Sequence, residues 1–319
     1  MTDTIKAKHP PEPFENAFRA AVIAPETASF NQALLETLET LPDTWSVPPA
    51  TIRKARAEGK GPFPLEPTLP TAEWLDADGV PLRKLPTNKV PAKGTFLHIH
   101  GGGWTFGQAD FQDPMLDRLA ATTSLDAFSV EYRLAPEHRF PAATQDCLTA
   151  ARWLHSENSP LFIGGESAGA HLALLTAISL REAGLKVAGL VLNAGCFDLS
   201  LTPSVRNWGS EKLVLNTRDI EIFARNFVPE FMDPRHPSIS PLYADLSGLP
   251  PALVSVGTRD PLLDDSLFLH QRLLAAGVES QLHIAPGGCH VFHVFDLAIA
   301  REAEQVTYQF INAHLERSS

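Results

Sequence analysis

The chain has 319 residues, 44% of them apolar and 20% charged. That is enough for one large domain with an accessory segment, and it excludes collagen-like or wholly disordered architectures. Its 26 Lys and Arg against 37 Asp and Glu leave a net charge of −11 with no dense basic run, which disfavours nucleic acid and anionic membranes as partners.

Three cysteines, Cys147, Cys196 and Cys289, lie far apart without a C-x-x-C pair. This usage suits a reducing compartment and predicts a cytoplasmic protein. Met1 to Pro13 is polar and lacks the apolar centre of a signal peptide, and no uncharged apolar run reaches the ~18 residues of a membrane span.

Phe14 to Leu41 carries Phe18, Val22, Leu34, Leu35 and Leu38 at near-helical spacing, with Pro25 as a break, and predicts one or two short helices. The 27 prolines concentrate in Leu41 to Pro91 and again in Pro229 to Pro251, which read as ordered wrapping or connecting segments. Asp76-Ala-Asp-Gly79 predicts a hairpin within Ala72 to Leu85. Short apolar runs then follow at Thr95–His100, Ala127–Tyr132, Leu161–Gly164, Val187–Asn193, Ala252–Val256 and Gln281–Ile284. Between them lie helical patterns, clearest at Ala142–His155, Ala168–Ala183, Asp265–Ala276 and Val291–His314. Strand and helix taking turns predicts an α/β fold, a mostly parallel sheet with helices on both faces. Phe197 to Leu249 interrupts the rhythm with roughly fifty residues and no convincing strand, and reads as an insertion at the top of the sheet.

The strongest chemical signal is Gly165-Glu-Ser167-Ala-Gly169, placed after an apolar strand and before an apolar helix. Such a turn lifts a serine out of the backbone and aims a helix N-terminus at developing negative charge. A bare G-x-S-x-G occurs by chance in roughly one chain of this length in ten, so the strand-to-helix context carries the reading. Upstream, a strand ends in His100-Gly101-Gly102-Gly103, whose glycines leave backbone N–H groups unshielded. The predicted oxyanion donors are Gly102, Gly103 and Ala168. His98 and His100 share one strand face, as metal ligands do, but no third ligand at suitable spacing follows, and no metal or other cofactor is expected.

An α/β-hydrolase needs an acid after a later strand and a histidine after the last, in the chain order Ser, Asp, His. Asp260 comes first in the loop after a predicted strand, whereas Asp264 and Asp265 stand where a helix cap is expected. His290 follows Pro286-Gly-Gly-Cys289, while His283 lies in the strand and His293 in the next helical pattern. The predicted triad is Ser167, Asp260 and His290.

From Phe96 to the C-terminus the sequence resembles the hormone-sensitive-lipase-like (bacterial family IV) esterases of the α/β-hydrolases. The resemblance rests on His100 to Gly103, Tyr132-Arg-Leu-Ala-Pro-Glu137 with Phe140-Pro-Ala-Ala143, Gly165 to Gly169, Asp260-Pro-Leu262 and His290, all in order. Glu166 departs from the commoner Asp, and Val291 from a common glycine. The resemblance implies an α/β-hydrolase fold with a helical cap: residues 1–70 form an N-terminal cap segment and linker, and 71–319 a catalytic domain with a cap insertion at about 197–242. It implies a carboxylesterase for short- to medium-chain esters of small molecules, with no cofactor, and a homodimer as the assembly to test. An arylacetamide deacetylase-like amidase on the same fold is the nearer alternative, and a non-catalytic ligand-binding member the remoter one. Arg133 and Glu137 are expected to pair locally beneath the site. Trp104, Trp208 and Phe223 are the substrate-pocket candidates, with Phe227 and Phe231 as further cap aromatics. Cys289 invites a redox reading, but a lone thiol is more often a small packed residue.

Overall fold

The computed structural model describes residues 22–61, 67–156 and 159–318. Phe14 and Phe18 of the first predicted helical stretch lie outside them. Helix α1 spans Pro25–Glu39, and Pro25 opens it instead of breaking it, because the first helical position needs no N–H and the ring presets φ. A 3₁₀ turn at Thr44–Ser46 and helix α2 at Pro49–Ala57 follow.

Among the described residues one sheet contains β1 (Glu73–Ala77), β2 (Val80–Leu85), β3 (Gly94–Ile99), β4 (Leu125–Val130), β5 (Leu161–Glu166), β6 (Gly189–Asn193), β7 (Ala252–Arg259) and β8 (Ser280–Cys289), in the order β1-β2-β4-β3-β5-β6-β7-β8. The β1–β2 hairpin turns on Asp78 and Gly79, both at positive φ, with the Gly79 amide donating to Asp76. β2 pairs antiparallel with β4, and every pairing from β4 through β8 is parallel. Helices α3 (Asp113–Thr123), α4 (Ala142–Leu154), α5 (Ala168–Glu182), α8 (Leu263–Ala275) and α9 (Ala298–Ser318) flank the sheet.

Alternate strand residues divide the core in two. Leu97, Ile163, Leu192 and Val254 pack with α4, α5 and α8 on one face, and Phe96, Phe162, Val191 and Leu253 with α3 and α9 on the other. Helix α5 is apolar on nearly every side and almost wholly buried, as a helix without a polar face must be. The chain leaves β3 for β4 on one side of it and later returns as β5 on the other. This reversal brings the C-terminal ends of β3 and β5 together, with Ile99 paired to Gly165, and opens a crevice there.

Two expectations shift here. β8 runs to Cys289 instead of ending at Ile284, through Pro286-Gly-Gly, because it is the last strand of the sheet and its free edge tolerates a proline that cannot donate. There the strands approach so closely that a β-carbon on Gly257 would lie 2.0 Å from the Gly288 carbonyl oxygen. The helix predicted over Val291–His314 begins only at Ala298, after a 3₁₀ turn at Phe292–Val294 preceded by Val291 at φ 51°. The insertion holds α6 (Pro203–Trp208) and α7 (Thr217–Phe227) and no strand of the sheet. Among the described residues no helix is long and apolar enough to cross a membrane.

Candidate active site

Ser167 stands between β5 and α5 with φ 55° and ψ −121°, a conformation that costs energy for a non-glycine residue and persists only where its surroundings enforce it. The enforcement comes from its neighbours. A β-carbon on Gly165 would lie 2.2 Å from the Ile99 carbonyl oxygen, and one on Gly169 only 1.8 Å from the same atom. Glycine at both positions lets β3 and the first turn of α5 touch backbone to backbone, while the Ser167 amide donates to the Asn193 carbonyl at 2.9 Å.

His290 comes directly off the end of β8. Its Nε2 lies 2.9 Å from Ser167 Oγ, and its Nδ1 lies 2.9 Å from Asp260 Oδ2 and 3.1 Å from Oδ1. All three side chains are buried. Asp260 follows β7 and also accepts from the Leu262 amide at 2.9 Å, which fixes its carboxylate. The structure thus brings the three predicted residues into one hydrogen-bonded chain. Asp264 and Asp265 take other places. Helix α8 starts after Leu262 without a side-chain cap, and Asp264 instead accepts from the Ser204 amide. Asp265 receives the amides of Phe197 and Asp198 and the Thr202 hydroxyl, tying the insertion to α8. Burial pushes its carboxyl up to about 7 against those donors.

The loop after β3 curls over the serine. Gly102 (φ 114°) and Gly103 (φ 60°) are tightly confined: a β-carbon would sit 2.3 Å from the Phe106 carbonyl oxygen at the first and 2.1 Å from the Phe223 ring at the second. The Gly102 carbonyl accepts from the Thr105 and Phe106 amides. Among the described residues the amides of Gly102, Gly103 and Ala168 donate to no protein group, so all three remain available at the crevice.

Glu166 explains how this loop is held. Its Oε1 accepts from the Gly101 amide at 2.5 Å and from Gln112 at 3.0 Å, and its Oε2 pairs with His98 Nε2 at 2.9 Å. Burial pushes this carboxyl up, but the neighbouring His98, joined by His293 and the Gly101 amide, brings it below the ordinary carboxylate value. His98 is therefore a partner of Glu166 and Ser129, and His100 turns its Nδ1 to the Gly101 carbonyl while stacking on Tyr132. Among the described residues no cluster of three or more such side chains forms a metal site. Nothing local in the sequence announced the role of Glu166, since its partners come from β3 and the loop before α3.

A cavity of about 640 Å³ opens over Ser167 and is lined by the two glycine loops, His290, Phe106, Phe223 and Arg56. Of the predicted pocket aromatics, Phe223 and Trp104 reach it. Trp104 is otherwise buried, donating to His171 Nδ1 and stacking on Phe227. Trp208 is not a lining residue: its indole donates to the Glu211 carbonyl, and it packs against the separate core cluster that holds Leu213, Phe292 and Leu297. Phe227 is a core residue and Phe231 is exposed. The expected Arg133–Glu137 pair does not form. Arg133 makes a double contact with Asp146 of α4, and Glu137 pairs with Arg53 of α2. Cys289 is buried, and burial pushes its thiol up to about 12, as befits a packed residue.

The N-terminal segment, for which the resemblance implied a cap segment and linker, supplies Arg56 to the crevice wall. Trp45 packs its ring edge against Phe223 at 4.9 Å and donates to Asp219 at 2.7 Å, and Arg218 pairs with Asp43. Segments before the sheet and within the insertion thus meet above the crevice.

A family model for the alpha/beta hydrolase fold matches residues 96–294. The chain is similar to an esterase of Acinetobacter venetianus, 30% identical over 274 residues and covering 84% of this chain and 89% of that one. It is also similar to an acetyl-hydrolase of Streptomyces hygroscopicus, 33% identical over 68% of this chain and 75% of the relative. Among solved structures, a hormone-sensitive lipase from a metagenome library superposes with TM-score 0.82 at 31% identity, covering 92% of this chain and 99% of that one.

Proposed function

This chain belongs to the α/β-hydrolase fold family, among its hormone-sensitive-lipase-like esterases, and from that premise we propose that it is a serine carboxylesterase acting on short- to medium-chain acyl esters. The observation that carries the reading is the buried hydrogen-bonded chain from Ser167 through His290 to Asp260, opening on a cavity of about 640 Å³. That volume suits a small ligand, within the usual range of roughly 300–1,000 Å³ for such pockets.

His290 Nε2 takes the Ser167 proton as Oγ attacks the ester carbonyl carbon, and Asp260 holds the ring by its Nδ1–H and stabilises the imidazolium. The carbonyl electron pair moves onto oxygen, where the amides of Gly102, Gly103 and Ala168 receive it. The intermediate collapses as the C–O bond to the alcohol breaks and His290 returns its proton to the leaving oxygen. Water, deprotonated by His290, then attacks the acyl-serine, and the acid leaves with Ser167 restored. The segment before about residue 70 and the insertion of about 197–242 act as a cap that limits acyl length. The Trp45–Phe223 contact above the crevice supports that role.

Initial rates on 4-nitrophenyl acetate, butyrate, octanoate and palmitate test the reading, with Ser167→Ala in parallel. We expect a short-chain optimum and a loss on the order of 10⁶ in kcat in the variant. Palmitate as the fastest substrate, or an active Ser167→Ala protein, would overturn it.

A further inference from the structure

Among the described residues the fixed charges around the cavity are paired, with one exception. Arg118 binds Glu304 at 2.9 Å, Arg301 binds Asp296, and Glu166 is held by His98. Arg56 also lines the cavity but has no ion pair and no hydrogen-bond partner among the described residues. Its Nε is sealed from solvent with no acceptor. Burial, unopposed by any acid, pulls the guanidinium below its ordinary value, yet arginine stays charged throughout the accessible pH range.

The position of Arg56 is not slack. Three residues earlier on α2, Arg53 donates to the Thr105 carbonyl at 3.0 Å and pairs with Glu137, which clamps the helix to the loop that carries Gly102 and Gly103. Residues three apart share a helix face, so the clamp aims Arg56 at the same loop. There its guanidinium carbon lies 4.5 Å from the centre of the Phe106 ring, and the Phe106 amide donates to Gly102. Stacking on an aromatic face occupies the plane of a guanidinium and leaves its N–H edge free.

We infer that Arg56 is a specificity residue that receives a carboxylate carried by the substrate, so that the preferred esters of this site are anionic ones. A carboxylate matches the two-pronged N–H edge of a guanidinium, and a partly buried cation without a counter-ion gains most from such a partner. The inference rests on the esterase reading above and narrows it to one substrate class.

The test compares kcat/KM within two matched pairs. On the acyl side these are mono-(4-nitrophenyl) glutarate and 4-nitrophenyl pentanoate, and on the alcohol side 4-acetoxybenzoate and phenyl acetate. Each is measured for the wild type, Arg56→Met and Arg56→Lys. We expect Arg56→Met to lower the anionic-to-neutral ratio in at least one pair by roughly 10- to 100-fold, the range of a charge-assisted hydrogen bond. Arg56→Lys should retain part of the ratio, having the charge without the fork. The ratio is taken within one preparation, so a reduced folded fraction cancels. An anionic-to-neutral ratio that is the same in all three proteins in both pairs, with the neutral esters still hydrolysed, would overturn the inference alone. A wild type inert on all four esters would overturn the esterase reading and this inference with it.

Discussion

The floor of the crevice and its roof are held by different kinds of contact. Beneath Ser167, Gly165 and Gly169 press directly on the Ile99 carbonyl, at separations where a β-carbon would fall within 2.2 Å and 1.8 Å of it. Above, Trp45, Phe106 and Phe223 meet at ring-centre distances of 4.9 to 5.8 Å, and polar side chains such as Arg53 and Asp219 tie the elements together. A floor built from backbone has no side chain that can give way, so each of its glycines is fixed by geometry. A roof built from side chains can repack, because aromatic rings and long side chains have other rotamers to adopt.

The loop over the serine contains a backbone approach of the same kind as the floor's, and Gly102→Ala tests it most directly. The residue would need φ near 114° and a β-carbon 2.3 Å from the Phe106 carbonyl oxygen. The loop must move, and displacing one oxyanion donor costs on the order of 10²–10³ in kcat. We expect that loss on 4-nitrophenyl butyrate, and full activity would show that even a backbone-to-backbone contact has slack here.

The joint between the two regions is His171, one helical turn beyond Ser167. Its Nδ1 accepts from Trp104 of the glycine loop, and its Nε2 donates to the Ile239 carbonyl of the insertion. Burial holds it down to about 4, against an ordinary 6.5. Between these values the unfolded chain binds the proton and the folded one does not. The stability His171 contributes is therefore complete above about pH 6.5 and is lost as pH falls toward 4, by about 3 kcal/mol at the limit. Urea midpoints from pH 7.5 to 4.5 should fall in that window, and His171→Gln should flatten the decline. An unchanged slope in the variant would place the acid sensitivity elsewhere, with His100 and His293, both also near 4, as the next candidates.

Trp45→Phe addresses the roof alone. It keeps an aromatic ring, smaller than the indole, but removes the donor at 2.7 Å from Asp219, a buried carboxylate that also serves the capping box of α7. The expected cost is about 2 kcal/mol in unfolding free energy, with kcat on 4-nitrophenyl acetate changed by no more than about 2-fold. A fall in kcat matching that of Gly102→Ala would show that the aromatic roof and the glycine loop are one mechanical unit.

The same contrast accounts for what could be read in advance. The α5 helix, the hairpin turn and the glycine loops are legible because their requirements are local: positive φ, a strand-to-helix turn, an apolar run without a polar face. The order of Ser167, Asp260 and His290 was legible because a parallel sheet delivers successive strand ends to one edge. Arg133 and Glu137 misled because residues four apart outside a helix need not face each other, and each found a partner on a different helix. Trp208 misled because aromatic spacing reports that a side chain is packed, not which core receives it.

The amino-acid sequence by itself therefore determined the alternation of strands and helices, the positions of the tight backbone approaches and the set of reactive side chains. Each follows from neighbours a few residues away or from the chain order of a parallel sheet. Only the tertiary structure decided that Glu166 holds the Gly101 amide, that Trp45 reaches an aspartate 174 residues on, and that Arg56 faces the cavity unpaired while Arg53 is bound. Such pairings are set by which surfaces the folded elements press together, and no periodicity along the chain encodes them.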